Sequence, residues 1–354
     1  MKKWFALALA MVMLLGLCAS ASAATVMIGW PSEPDSAYLT ALDSALEQAF
    51  LSRSLTPNDT FAGNDFQQQL NRLNEAVLTF ASGYAIDVIT TPDADIAKNM
   101  VTVARRNGNK PIIFFENPVE PDETQAAALF ESYEYAAYVG HSAAMAGEAQ
   151  GAMAAAWLLA RYDEIDLNGD GVISYVLFRG DDSEDAGAMT AACLDQANAA
   201  LAAAGKPALH YFDANDPNGF VPAGGSGDYV TLYLQNALPY YTEAGGNMIE
   251  LVLCGSDAMA VGAVAALAGA GYNNGAGKAI PVFGAGGTDE AQAAVAAGTM
   301  AGTVAKNPEG MAEAVATLMA NMLGGQDKLT GLDSAVQVKD GWFVQIPWKT
   351  ITAP

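Results

Sequence analysis

The hydrophobic pattern along the chain switches repeatedly between two periods. Short apolar runs rich in Val, Ile and Phe alternate with longer Ala-rich stretches of helical period, almost to the end of the chain. The runs at 25–30, 86–91, 111–116, 136–140, 172–179, 208–212, 249–254, 280–284 and 300–305 predict strands, and the stretches at 36–51, 93–107, 142–162, 185–204, 257–268, 289–297 and 308–323 predict helices. Near-continuous apolar strands such as Ile112-Ile113-Phe114-Phe115 fit burial on both faces. Strand and helix in alternation therefore predict an α/β protein with parallel sheets covered on both sides. Gly, Asp or Ser just after each strand then lies at the carboxyl edge of a sheet, where open parallel sheets bind ligands. The segments 56–64, 118–123 and 215–228 read as surface loops, and no repeat or low-complexity tail is visible.

Length and charge narrow this picture. A chain of 354 residues with 52% hydrophobic and 16% charged positions is globular and too long for one core, so two domains are expected. Asp plus Glu number 39 against 16 Lys plus Arg, a formal net charge of −23. That balance excludes nucleic acid and anionic membrane surfaces as partners of the whole molecule, and its self-repulsion favours solubility; a monomer is expected. The chain opens with Lys2 and Lys3, an apolar run from Trp4 to Leu17, and Ala21-Ser22-Ala23. This is the pattern of a secretory signal peptide over 1–23, with an apolar run too short to span a bilayer. Leu17 stands before Cys18 where a lipoprotein signal needs a small residue, so cleavage after Ala23 and export are expected. Cys193 and Cys254 remain; a disulfide is allowed outside the cytoplasm, but two free, partly buried thiols are expected in a chain with this much core.

The sharpest local signal is Asp166-Leu167-Asn168-Gly169-Asp170-Gly171-Val172-Ile173-Ser174. It has the spacing of a calcium loop, with side-chain oxygens of Asp166, Asn168 and Asp170, Gly171 at the sharp turn, the Val172 carbonyl, and Ser174 at the ninth position. The twelfth position, normally a Glu, is Leu177, and a strand follows where a helix would be usual. A cation here needs a carboxylate from a remote residue; the alternative is a plain Asx turn before a strand. Catalytic constellations are thin. The chain has two histidines and lacks H-E-x-x-H, C-x-x-C and G-x-S-x-G, so zinc hydrolysis, dithiol redox and serine-esterase chemistry lack their parts. Acidic pairs such as Asp181-Asp182 leave a secreted glycan-active enzyme as a minor reading. Two lobes with polar groups at sheet edges and no catalytic machinery point instead to a ligand receptor.

The segments DLNGDGVISYVLFRGD at 166–181, IELVLCGSDAMAVGAVAAL at 249–267, IPVFGAGGTDEA at 280–291, AGTVAKN at 301–307, KPIIFFEN at 110–117 and YVGHSAAMAGEAQG at 138–151 resemble the exported galactose/glucose-binding proteins. The resemblance covers most of the chain and is weakest at 50–84 and 213–245. It implies two doubly wound lobes, 24–140 plus 305–338 and 141–304 plus 339–354, joined by a three-segment hinge and closing on a sugar. It also implies delivery of that sugar, galactose- or glucose-like or a related carbohydrate, to a membrane ABC permease, with a chemoreceptor or sensor kinase as an alternative reader. Within it, Glu250 takes the place of the remote carboxylate, completing a structural Ca2+ site with Asp166, Asn168, Asp170, Val172 and Ser174. The sugar contacts fall on Asp35, Tyr38, Glu116, Asn117, Asp185, Ser256 and Lys306, with Phe220 as a candidate second stacking aromatic. Several positions depart from the family: Glu116, Ser256 and Lys306 each replace an Asn, Ser183 replaces a His, Met189 an Arg and Gly286 an Asp.

Overall fold

A computed structural model describes residues 24–89, 94–120, 122–216, 218–273 and 278–353. The signal peptide expected over 1–23 lies outside them. In chain order the elements are β1 (Ala24–Trp30), α1 (Ala37–Ser52), β2 (Leu55–Phe61), α2 (Phe66–Leu78), β3 (Gly83–Asp87), α3 (Ala94–Arg106), β4 (Ile112–Phe115), α4 (Glu123–Glu131), β5 (Ala136–Gly140), α5 (Ala143–Ala160), α6 (Tyr162–Ile165) and β6 (Ser174–Arg179). They continue with α7 (Glu184–Ala203), β7 (His210–Tyr211), β8 (Val221–Pro222), α8 (Gly227–Ala237), β9 (Leu251–Cys254), α9 (Asp257–Gly269), β10 (Val282–Gly286), α10 (Asp289–Ala296), β11 (Gly302–Ala305), α11 (Pro308–Leu323), β12 (Gln337–Lys339), β13 (Phe343–Gln345) and β14 (Lys349–Thr352).

The chain divides into two compact units. The first holds the residues up to Val139 with Met311–Asp333 and Val338–Val344; the second holds Gly140–Gly310, Ser334–Gln337 and the chain from Gln345 onward. The resemblance placed these borders at 140/141, 304/305 and 338/339. The first lobe's sheet runs β12-β13-β5-β4-β3-β1-β2 and the second lobe's β14-β11-β10-β9-β6-β7, with β8 also on β6. Five successive strands in each lobe therefore follow one order, and each sheet reverses direction once, between β1 and β3 and between β6 and β9. Those pairs are parallel. In such a doubly wound sheet the reversal opens a crevice at the carboxyl ends of the two strands.

The predicted all-parallel sheets need one correction, because β14 runs antiparallel to β11 at the edge of the second sheet. The segment 56–64, read as a loop, is largely the edge strand β2, paired in register with β1 from Ala24↔Leu55 to Trp30↔Phe61. Its sequence, LTPNDTF, is polar and carries Pro57, which an edge strand tolerates because one row of its backbone groups needs no partner. Helices α2, α4 and α8 were not predicted either. Each starts at a polar N-cap, Asp65, Asp122 and Ser226, whose side chain accepts from the third residue on.

Packing explains why the Ala-rich helices read so clearly. Helix α5 lies against α7 so closely that a Cβ added at Gly151 would stand 2.2 Å from the Cys193 carbonyl oxygen, and one at Gly147 2.1 Å from that of Met189. Small residues on α5 are thus a condition of the contact. Cys193 and Cys254 are free thiols, as expected, but fully buried. Among the described residues, no helix is long and apolar enough to cross a membrane.

Candidate functional site

At the carboxyl edge of the first sheet, Ser36 caps α1 by accepting from the Leu39 N–H at 3.1 Å, which fixes the first turn and the direction of Tyr38. The Tyr38 hydroxyl donates to Glu116 Oε2 at 2.7 Å. Burial first, and the Glu116 carboxylate second, push the Tyr38 phenol far above its ordinary range, so it stays a donor. Glu116 follows β4 with φ +61, and the Asn117 N–H closes a three-residue turn onto the Phe115 carbonyl at 2.9 Å. This is the rare, strained hand of such a turn for a residue with a side chain. A Tyr138 hydroxyl on the Glu116 carbonyl at 2.9 Å holds it there.

Asn117 is used differently. Its amide donates inward to Asp87 Oδ1 at 2.8 Å and to the Val88 carbonyl at 3.1 Å, satisfying a carboxylate that is 2% exposed. The structure thus brings Tyr38 and Glu116 together and turns Asn117 into the lobe. Asp35 is exposed in the loop before the Ser36 cap.

At the carboxyl edge of the second sheet, Ser256 caps α9 through the Met259 N–H at 3.4 Å. Asp257 beside it is buried, its Oδ2 accepting from the Thr288 N–H at 2.7 Å and its Oδ1 from the Thr303 hydroxyl. Gln150 on α5 ties the ends of β9 and β10 together, donating to the Cys254 and Gly284 carbonyls, both at 2.9 Å. Asp185 is exposed in the first turn of α7. Lys306 follows β11 beside His141, whose Nε2 accepts from the Asn307 N–H at 3.0 Å. Burial, and then the Lys306 charge, push the His141 imidazole down to about 3, so it is neutral at physiological pH. Met189 belongs to the α5–α7 contact, its backbone carbonyl facing Gly147.

One residue at this edge was missed in the sequence, and it meets Phe220, which the sequence offered as a stacking aromatic for the ligand. Arg179 closes β6, with its guanidinium carbon 3.8 Å from the centroid of the Phe220 ring. Its Nε donates to the Asp181 carbonyl at 2.9 Å, and an Nη pairs with Asp182. A charged residue ending an otherwise buried strand is the signal that marks it.

The acidic loop lies at the opposite end of β6. Asp166 accepts from the Asp170 and Gly171 N–H groups at 3.1 and 2.9 Å, Asn168 Oδ1 from Asp170 at 3.0 Å, and Asp170 Oδ1 from Val172 at 2.8 Å. Gly171 has φ +83, which its place in the turn requires. Glu250, fully buried just before β9, reaches this loop: Oε1 accepts from Leu167 at 2.7 Å and Asn168 at 3.3 Å, and Oε2 from Ser174 at 2.9 Å. Burial raises its pKa, opposed by these N–H donors. Among the described residues no group of three or more His, Cys, Asp or Glu stands in metal-holding geometry. The carboxylates are turned to the loop's own N–H groups.

Comparison with known proteins adds the family. A family model described as a periplasmic binding protein domain matches residues 30–327. A D-galactose/methyl-galactoside binding periplasmic protein of Haemophilus influenzae is 27% identical over 287 residues, covering 80% of this chain and 77% of that protein. Among solved structures, the arabinose binding protein AraP of Geobacillus stearothermophilus matches with a TM-score of 0.62 at 13% identity, over 93% of this chain and 96% of that one. A periplasmic ribose ABC transporter structure from Conexibacter woesei matches with a TM-score of 0.61 at 18% identity, over 94% and 93%. These structural likenesses establish the fold, two α/β lobes of the type 1 periplasmic-binding-protein class. The family binds substrates and does not turn them over, and it works outside the cytoplasm. The chain belongs to the periplasmic binding protein family.

Proposed function

We propose that the chain is the extracytoplasmic solute-binding component of an ABC importer and binds a sugar through side chains at the carboxyl edges of its two sheets, closure of the lobes being the binding event. The observation that carries this reading is Glu116. It stands in a left-handed turn whose strain costs on the order of 1–3 kcal/mol, held by Tyr38 and Tyr138. A carboxylate carried on a strained turn, with Tyr138 holding the turn's carbonyl and Tyr38 holding Oε2, is at the ligand edge of a doubly wound sheet a preorganised acceptor for sugar hydroxyls. The Haemophilus influenzae relative is named for D-galactose and methyl-galactoside, which supports a galactose-like ligand. Binding from both edges favours the closed members of an open ensemble, because the ligand completes its hydrogen bonds only there.

The proposal includes a structural Ca2+ held by Asp166, Asn168, Asp170, the Val172 carbonyl, Ser174 and Glu250. The donor set is all oxygen and carries three carboxylates, and the remote Glu250 does reach the loop. A bound cation supplies the positive charge that a fully buried carboxylate next to Asp166 otherwise draws only from N–H dipoles. We take the protein to act as a monomer that hands its ligand to a membrane permease. A chemoreceptor or sensor kinase reading the same closure is the alternative, and deleting the permease genes separates the two.

The test is a thermal-shift screen of the mature protein in calcium-containing buffer against mono- and disaccharides, sugar acids and amino sugars. A stabilising shift with galactose, glucose or a close relative is expected. Absence of any shift across the panel contradicts the reading.

A further inference from the structure

Arg179 stands at the reversal point of the second sheet, on the strand whose neighbour β9 lies across the crevice that doubly wound sheets use for ligands. We propose that Arg179, held flat by Phe220, is the principal ligand-binding side chain of the second lobe and donates to a pair of adjacent oxygen atoms on the ligand. This rests on the sugar-binding reading above and deepens it.

The guanidinium has five N–H donors in a planar fork. Two are used, one by the Asp181 carbonyl and one by Asp182, which leaves three. The side chain is only 17% exposed, so it is fixed and not swinging in solvent. Asp182 is 85% exposed and contributes little to that fixing. The stack on Phe220 does more, with the ring packed against the lobe's core beneath it. The strand itself adds register: β8 pairs with β6 through Phe178↔Val221 and Arg179↔Pro222, which carries Phe220 to Arg179.

Phe220 therefore cannot offer that ring face to a sugar, as a stacking aromatic would; the guanidinium plane is the surface the ligand meets. The loops after β6, β8 and β9 come together through Gly180, Gly224 and Gly255, with a Cβ at Gly255 3.6 Å from the Gly180 nitrogen and one at Gly224 4.0 Å from its carbonyl oxygen. None of these three positions has a side chain to cover the guanidinium. A planar fork with open donors selects two adjacent acceptor oxygens. Either the vicinal hydroxyls of a neutral hexose or the carboxylate of a sugar acid supplies that pair.

The experiment is calorimetric titration of the full mature chain and of Arg179→Met, Arg179→Lys and Phe220→Leu with D-galactose, D-glucose, D-galacturonate and D-glucuronate, with a melting curve for each protein. Arg179→Met is expected to weaken binding at least tenfold while melting close to the parent. Arg179→Lys should lose less, keeping charge but not the fork, and Phe220→Leu should fall between them. A loss confined to the uronates assigns the oxygen pair to a carboxylate; a loss shared by the neutral hexoses assigns it to a diol. Should Arg179→Met fail to fold, Arg179→Lys and Phe220→Leu carry the same test. Parent-like affinity in the folded variants overturns the proposal and leaves the sugar-binding reading standing. A folded parent that binds none of the four sugars overturns both.

Discussion

Strand β6 has the acidic loop at one end and Arg179 at the other, roughly 17 Å apart at the usual rise per residue. The two ends use polar side chains in opposite ways. In the loop, Asp166, Asn168 and Asp170 bond N–H groups at most five residues away, and Glu250 comes from afar. At the carboxyl edges, each residue's role depends on which strand end stands beside it. Asp257 is absorbed by Thr288 and Thr303, Asn117 by Asp87, and Arg179 is aimed by Phe220. A site whose partners share one short segment is local chemistry; a site assembled from strand ends is a property of the topology.

The largest expected effect is at the loop. Glu250→Ala leaves the N–H groups of Leu167, Asn168 and Ser174 without their acceptor, and stability in urea unfolding should fall by about 3 kcal/mol. A loss under about 1 kcal/mol would break the view of the loop as a structural unit. Chelation comes next: with calcium at about a hundred times its Kd, its removal should cost about 2.7 kcal/mol. The melting temperature of the parent should then drop while that of Asp170→Ala stays put.

Acid stability probes the edge instead. His141 has a folded pKa of about 3 against 6.5 unfolded, so the unfolded state takes up a proton first as pH falls. Stability should be full above pH 6.5 and decline toward pH 3, by about 2 kcal/mol at pH 5. His141→Gln should flatten this slope, and an unchanged slope in that variant would refute the assignment. Asn117→Ala removes a donor from buried Asp87 and should cost about 1–2 kcal/mol of stability. Sugar affinity of the folded variant should stay within a few-fold, which sharpens the distinction between supporting and ligand-facing groups. The smallest effect on stability is at Glu116→Gly, which relieves the left-handed turn but leaves the Tyr38 hydroxyl without its acceptor; the net change should stay within about 1 kcal/mol while sugar binding is weakened.

The same contrast explains what could be read from the chain. Alternating apolar runs and Ala-rich helices gave away the parallel core because burial on both faces leaves few polar positions, as in Ile112–Phe115. Edge strand β2 escaped because a strand bonded on one side needs no apolar pattern. The turn over 166–174 was legible in nine consecutive residues, because its side chains bond N–H groups within the same segment. The ligand edge was legible only in part: Tyr38 and Glu116 do meet, but Asn117 faces inward and Met189 is held in a helix contact. Arg179 could not be weighed without knowing that β8 brings Phe220 beside it.

The most direct test of the account is equilibrium titration of the mature, calcium-loaded protein with D-galactose and D-glucose, followed by heat. The account predicts saturable one-site binding of at least one of them, weakened in Glu116→Gly. Folded protein that gives no binding heat with either hexose, nor with their uronates, would contradict it.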